Sequence, residues 1–161
     1  RPTPHHLFLA LNDIPSPDPV EFGLPDADFP TSDTTVETVD VPLTEPVRWT
    51  FVDGVYMRGD GSATTQVLPD WDTDPEPLTT EIVVVMGVNP RSAGYQDSAG
   101  AEVPTFDVIG SGSLTVYNGG TVIEGIWQRD SLSDPYRFLT ADGDEFGLPE
   151  GRVFIHLLPT P

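Results

Sequence analysis

Apolar and polar side chains alternate one by one along much of the chain after residue 46, a pattern typical of β-strands with one buried face. In residues 47–52, VRWTFV, the side chains of Val47, Trp49 and Phe51 fall on one side. Asp53-Gly54 follows as a two-residue hairpin signal, and residues 55–58 form the predicted return strand. Residues 81–88, EIVVVMGV, are apolar after the first position, which predicts a strand covered on both faces.

The same pattern predicts five further strands before the end of the chain. They span residues 105–109, 113–118, 121–128, 136–140 and 152–158, and the turns between them contain Asn118-Gly119-Gly120 and Asp142-Gly143. Strands at this spacing, with Gly and Asn or Asp at the turns, are typical of antiparallel sandwiches and barrels. We therefore predict a mainly β fold, an antiparallel sandwich or barrel-like sheet. At most one or two short helices are expected, and residues 6–14 are the only candidate segment.

The first 46 residues differ in composition from the rest. Residues 12–46 contain nine acids, seven prolines and no basic residue. Because proline removes a backbone donor and restricts the preceding residue to extended geometry, this stretch is predicted to be an extended arm, with one strand at residues 35–41. The predicted organisation is an N-terminal segment with a long, acidic, Pro-rich arm at 1–46 and a β-rich C-terminal domain at 47–161.

Charge and cysteine content exclude several classes of function. The 161 residues include 26 acids and 7 basic residues, for a net charge of −19, and all seven basic residues are Arg. Such a chain repels nucleic acid, which is therefore not expected as a partner. With no Cys, the chain has neither disulfides nor thiolate chemistry. No apolar stretch approaches a membrane span, so contact with a membrane is expected only through an anchor upstream of Arg1.

One acidic run resembles a calcium loop. Asp70, Asp72 and Asp74 alternate with other residues, and Glu81 stands at the twelfth position counted from Asp70, a spacing at which oxygen ligands converge in EF-hand loops. The sixth position, where such loops need Gly, is Pro75. A solvated acidic loop is the favoured interpretation. No cofactor is expected, although loosely bound calcium stays open as an alternative.

No catalytic motif is present, so enzymatic function has only one candidate. A pair of carboxylates could act on a glycan as in glycosidases. With 26 acidic residues in the chain, however, the sequence does not indicate which two would form the pair. His156 alternates with apolar strand residues and is interpreted as structural. Trp49 and Trp127 lie in alternating strands and are expected in the core, whereas Trp71, between two aspartates, is the better candidate for a surface contact.

The C-terminal stretch resembles a known family. Residues 104–159 contain G-S-G, an apolar strand, N-G-G, I-E-G-I-W-Q-R, an Asp-Gly turn and L-P-E-G before the last strand. W-T-F and Y-M-R-G-D-G in residues 49–61, a D-x-x-G-x-x-V-P segment at 97–104, and P-H-H-L-F at 4–8 also match. Together these features are similar to the end of the YerB-like lipoproteins of bacteria, a family of unknown function. The chain departs from the family pattern at His6 and at Gln66-Val67.

The resemblance implies an extracytoplasmic, lipid-anchored cell-envelope protein with a further N-terminal half. It implies no catalytic residues, and the matching polar or aromatic positions that could form a binding site are Arg58, Asp60, Trp127, Arg129 and His5. We therefore expect a non-catalytic binding or scaffolding module, with a carboxylate-dependent envelope hydrolase as the alternative. The expected partners are the missing N-terminal half and an envelope protein or glycan. An exposed apolar patch or strand edge would also permit a homodimer.

Overall fold

The computed structural model describes residues 28–59, 66–67 and 74–160, and these ranges contain strands and no helix. The strands are β1 (Thr38–Val41), β2 (Val47–Val52), β3 (Val55–Gly59), β4 (Gln66–Val67), β5 (Glu76–Pro77), β6 (Thr79–Thr80), β7 (Ile82–Val88), β8 (Pro90–Gln96), β9 (Glu102–Phe106), β10 (Gly110–Asn118), β11 (Thr121–Arg129), β12 (Arg137–Thr140), β13 (Glu145–Phe146) and β14 (Val153–Pro159). The mainly β fold is thus confirmed. The predicted helix at 6–14 lies outside the described residues.

Ten of these strands form two larger sheets. One has four antiparallel strands in the order β1-β2-β3-β6, and the other has six in the order β13-β12-β11-β10-β7-β14. The pairs β4/β5 and β8/β9 form separate two-stranded ribbons. Neither larger sheet closes on itself, so of the two predicted architectures the structure agrees with the sandwich and not with a barrel.

The six-stranded sheet is mixed, because β14 runs parallel to β7 whereas all other neighbouring strands of this sheet are antiparallel. β14 follows the β12–β13 pair at one edge of the sheet but joins the sheet at the opposite edge, beside β7. In β7 every residue except Val85 is buried. This burial on both faces explains the continuous apolar run in the sequence.

The core has two parts, one on each face of the six-stranded sheet. The four-stranded sheet contributes Val39, Trp49 and Tyr56, which pack with Val83 and Phe154 of the six-stranded sheet. The residues of the other face are Ile82, Val84, Met86, Val88, Leu114, Val116, Trp127, Phe138 and Phe146, with Phe29, Phe106, Ile123, Tyr136, Leu148 and Leu157 packed against them. The larger sheet is therefore the central layer of the domain.

The tip of the β10–β11 hairpin joins the two sheets. Gly119 and Gly120 lie in the turn predicted from Asn118-Gly119-Gly120, and their φ values of 57° and 75° are those of a two-residue hairpin turn. The Gly120 amide donates to the Tyr56 hydroxyl at 3.2 Å, and a Cβ at this position would lie 2.8 Å from the Phe51 ring. The Val36 amide donates to the Gly120 carbonyl at 2.7 Å, so the described end of the predicted arm is also attached here.

No helix within the described ranges is long and apolar enough to cross a membrane.

Candidate functional site

Arg58 points inward from the smaller sheet. It lies on β3 directly opposite Trp49 of β2, and cross-strand neighbours of this kind project from the same face of a sheet. Trp49 is fully buried between the two sheets. The Arg58 guanidinium accordingly lies between the sheets, with its Cζ 5.5 Å from the centre of the Phe154 ring on β14. This distance is within the range of a cation–π contact.

A cavity of about 700 Å³ opens beside Arg58. Its described lining residues come from the β1–β2 connection, the first residue of β2, β3, β9 and β14, and are Pro42, Leu43, Thr44, Glu45, Pro46, Val47, Arg58, Gly59, Phe106, Leu157 and Pro159. Among these described residues seven are apolar, Arg58 is the only cation, and Glu45 is exposed. A largely apolar cavity with a small number of polar or charged groups to orient a ligand is the usual composition of a binding site.

Arg58 has no anionic or carbonyl partner among the described residues, unlike the other arginines there. Arg48, Arg91, Arg137 and Arg152 each pair with a carboxylate at 2.6–3.0 Å. Arg129 donates to two backbone carbonyls. A half-buried guanidinium loses hydration, and from the described residues Arg58 gains a ring contact and no anion. An anion arriving in the cavity would therefore bind it favourably.

A buried His–Trp pair lies beneath this site. The indole Nε1 of Trp49 donates to Nε2 of His156 at 2.9 Å, so the imidazole is neutral and carries its proton on Nδ1. Burial lowers the pKa of His156 below its usual value, and the charge of Arg58 lowers it further. His156 is therefore a fixed part of the wall behind Phe154 and acts as an acceptor, which agrees with its structural interpretation from the sequence.

Trp127 is buried rather than presented to a ligand. It is 2% exposed, and its Nε1 donates to the Gly87 carbonyl at 2.8 Å. Its cross-strand neighbour is Gly112, where a Cβ would lie 2.6 Å from the indole nitrogen and 2.2 Å from the Gly87 oxygen. The indole thus crosses the sheet in the space that a side chain at position 112 would occupy.

Arg129 holds the loop that follows β11. Its Nε donates to the Asp134 carbonyl at 2.8 Å and its Nη2 to the Leu132 carbonyl at 2.6 Å. The guanidinium also lies 4.7 Å from the centre of the Tyr136 ring. These contacts fix the loop geometry. Arg129 and Arg58 lie on different sheets, and the binding role foreseen for Arg129 stays a prediction.

Most of the remaining candidate site residues fall outside the described part of the chain. Asp60, His5, Asp70, Asp72 and Trp71 lie outside it, so their suggested roles stay predictions.

The calcium hypothesis can be followed only at two of its four ligands. Asp74 is exposed, and Glu81 forms an ion pair with Arg152 at 3.0 Å. Hydrogen bonds from the Arg152 guanidinium and amide lower the pKa of Glu81. Within the described ranges no three metal-ligating side chains lie together. A calcium ion at Glu81 would have to displace Arg152, and this site also stays a prediction.

A second cavity, of about 520 Å³, has an acidic lining that includes Glu124, Asp142 and Asp144. All three are exposed, and no carboxylate among the described residues is buried. A glycosidase acid is usually held in a water-poor environment that raises its pKa. The described part of the chain therefore offers no pair that favours the hydrolase alternative.

Comparison with known proteins identifies the family but no activity. Residues 38–155 match the family model described as protein of unknown function (DUF3048), C-terminal domain. The chain belongs to this family. The resemblance found in the sequence is thus confirmed.

A solved structure supports the same assignment at the level of the fold. The YerB protein from Bacillus subtilis matches with a TM-score of 0.53 and 16% identity, over 83% of this chain and 44% of that one. The chain thus spans less than half of the length of YerB. No curated protein matches the chain.

Two of the motifs on which the resemblance was based have packing roles in the structure. Gly112 of G-S-G and Trp127 of I-E-G-I-W form the glycine–indole pair. Gly125 of the second motif lies against the backbone of β12, and a Cβ added there would collide with the Leu139 carbonyl oxygen.

The sequence indicated Arg58 as a candidate but not Phe106, Leu157 or the Pro-rich turn at 42–46, which form the cavity with it. The alternation of apolar and polar residues around Phe106 and Leu157 indicates that these side chains are at least partly buried. It does not indicate which residues meet around a cavity.

Proposed function

We propose that this DUF3048 domain is a non-catalytic binding module of an extracytoplasmic, lipid-anchored cell-envelope protein, and that it binds through the Arg58 cavity. The observation that supports the proposal is an inward-pointing guanidinium, without a described anionic partner, in a largely apolar cavity of about 700 Å³. The ligand class that fits is a carboxylate attached to an apolar group. The resemblance to YerB-like lipoproteins is what supports the envelope location in this proposal.

The partners that agree with this proposal are the N-terminal half of the same protein, another envelope protein and an envelope glycan. The net charge of −19 opposes nucleic acid as a partner. Of these ligands, one with a carboxylate matches Arg58, because a guanidinium binds carboxylates through paired, charge-assisted hydrogen bonds. Glu45 at the same cavity repels an anion, so we expect the carboxylate to approach Arg58 from the side away from Glu45.

The direct test is a titration of the domain with octanoate, followed by heteronuclear NMR. We expect shifts of the amides around the cavity, at Gly59, Phe106 and Leu157. Octanol, which has the same apolar chain and no charge, is expected to bind at least tenfold more weakly. If octanoate and octanol bind equally, or if their shifts lie elsewhere, the proposal is wrong.

The variant Arg58→Met is expected to lower the affinity for octanoate by about 10- to 150-fold, as charged hydrogen bonds contribute about 1.5–3 kcal/mol. Its free energy of unfolding should change by less than about 1 kcal/mol, because it removes a desolvated charge along with a cation–π contact. The matched control is Arg48→Met, which removes an exposed, paired arginine outside the cavity and should leave the affinity unchanged.

The variant Asp60→Asn tests whether the Asp60 carboxylate neutralises Arg58. If it does, this variant should bind octanoate more tightly than the parent.

A further inference from the structure

The outer edge of β14 has backbone groups that find no partner among the described residues. β14 is the last strand of the six-stranded sheet. At its two ends the Arg152 carbonyl accepts from Ile82 at 3.1 Å and the Thr160 amide donates to Val88 at 2.9 Å. Because backbone groups alternate in direction along a strand, those of residues 153, 155 and 157 point away from β7. No described strand pairs with this edge.

The side chains along this edge differ between the two faces of the sheet. On one face Val153 and Ile155 are 39% and 36% exposed, and Leu157 follows them towards the cavity. On the other face lie Phe154 and, over its ring, the Arg58 guanidinium. A further strand would therefore meet apolar side chains on one face and a cation on the other.

We propose that an extended peptide segment adds to β14 as a seventh strand and places a carboxylate at Arg58. This inference rests on the proposed function of the Arg58 cavity and specifies its ligand. The peptide would carry apolar side chains at alternate positions, beside Val153, Ile155 and Leu157, and an acidic side chain between them. Main-chain hydrogen bonds would provide affinity, and the alternate side chains would provide specificity, as in other cases of strand addition.

A second copy of the chain fits this edge less well than a peptide. Two β14 strands that pair with each other bring no carboxylate, because VFIHLLP contains no acid. Each copy would also bring a net charge of −19. The pairing would then bring no anion to either Arg58, while the two acidic chains repel each other.

The test uses a synthetic five-residue peptide, acetylated and amidated, with isoleucine at its second and fourth positions and glutamate at its third. We expect it to bind and to slow amide hydrogen exchange at Ile155 and Leu157. Replacement of the glutamate by glutamine should lower the affinity at least tenfold, and Arg58→Met should remove that difference between the two peptides.

Backbone methylation of the peptide distinguishes strand addition from simple capture of a carboxylate. One isomer is methylated at the nitrogens of positions two and four, the other at positions three and five. Only alternate amides of an added strand face β14, so one isomer should lose binding at least tenfold and the other should retain it. Equal affinity of the two isomers, or binding without protection at Ile155 and Leu157, would overturn the inference.

Failure of this inference is separable from failure of the proposed function. If octanoate binds at the cavity and the peptide does not bind, strand addition is wrong and the carboxylate site stands. If neither binds, both are wrong. A dimer in sedimentation analysis that protects Ile155 and Leu157 without peptide would show that a second copy occupies this edge, which also overturns the inference.

Discussion

Replacement of Gly112 by alanine is expected to lower the free energy of unfolding by about 3–5 kcal/mol, a large effect for a single methyl group. A Cβ at this position would lie 2.2 Å from the Gly87 carbonyl oxygen and 2.6 Å from Trp127 Nε1. β10, which carries Gly112, and β7, which carries Gly87, each have a paired strand on both sides, so neither backbone can move away freely. The indole must tilt, and its hydrogen bond to the Gly87 carbonyl is then lost in a buried place.

The measurement is urea denaturation followed by circular dichroism, with Ser111→Ala as the matched control. Ser111 precedes Gly112 on β10 but is exposed, so its replacement should change the unfolding free energy by less than about 0.5 kcal/mol. Trp127→Phe removes the same indole donor. We therefore expect the double variant of Gly112 and Trp127 to cost less than the sum of the single variants. Additive costs, or a Gly112→Ala cost under about 1 kcal/mol, would contradict the packing described here.

Residue alternation and turn residues predicted most strands of the two large sheets. The pairs β2–β3 and β10–β11 have the turns that Asp53-Gly54 and Gly119-Gly120 indicated, with positive φ at all four residues. These features are local, since the period of two and the turn chemistry depend only on neighbouring residues. The strand predicted at residues 105–109 was placed about three residues too late, because β9 is Glu102–Phe106 and has little apolar alternation.

Two features of the fold could not be predicted from local pattern. β8 is exposed along nearly its whole length, and its sequence PRSAGYQ has no apolar period, because it pairs with β9 in a ribbon outside the large sheets. The parallel pairing of β14 with β7 depends on which edge the last strand reaches. Alternation indicates that a strand has a buried face, but not which strand it will pair with.

The candidate site was predictable only in part for the same reason. Arg58 was selected by the resemblance, whereas its cavity brings together segments near residues 45, 58, 106 and 157. Nothing in the local pattern around Phe106 or Leu157 indicates that they meet an inward-pointing cation. The His156–Trp49 hydrogen bond joins residues 107 positions apart and was equally hidden in the sequence.

The variant Trp49→Phe is expected to destabilise the domain by about 2–4 kcal/mol at neutral pH. The shorter ring leaves a gap in a fully buried position and leaves His156 Nε2 without its donor. A buried acceptor that has lost its partner has a desolvation penalty with no compensating bond. The measurement is chemical denaturation at a series of pH values between 5 and 8.

The cost of Trp49→Phe should shrink as the pH falls below 6.5. Burial and the Arg58 charge hold the pKa of His156 below its ordinary value of 6.5, so the unfolded chain binds this proton more readily than the folded one. The stability that depends on neutral His156 is therefore fully present above pH 6.5 and is lost as the pH falls towards the folded pKa. In Trp49→Phe the indole N–H is gone, so it no longer opposes protonation of His156 at Nε2. The pKa of His156 should then lie closer to 6.5, and the variant should lose less stability on acidification than the parent.

Trp127→Phe is the matched control for this pH dependence. It removes an indole whose Nε1 donates to a backbone carbonyl, at a distance of 2.8 Å against 2.9 Å for the Trp49–His156 bond. A carbonyl does not titrate, so the cost of Trp127→Phe relative to the parent should stay constant between pH 5 and 8. If the costs of both tryptophan variants follow the same pH curve, the neutral His156 acceptor is not the source of the effect.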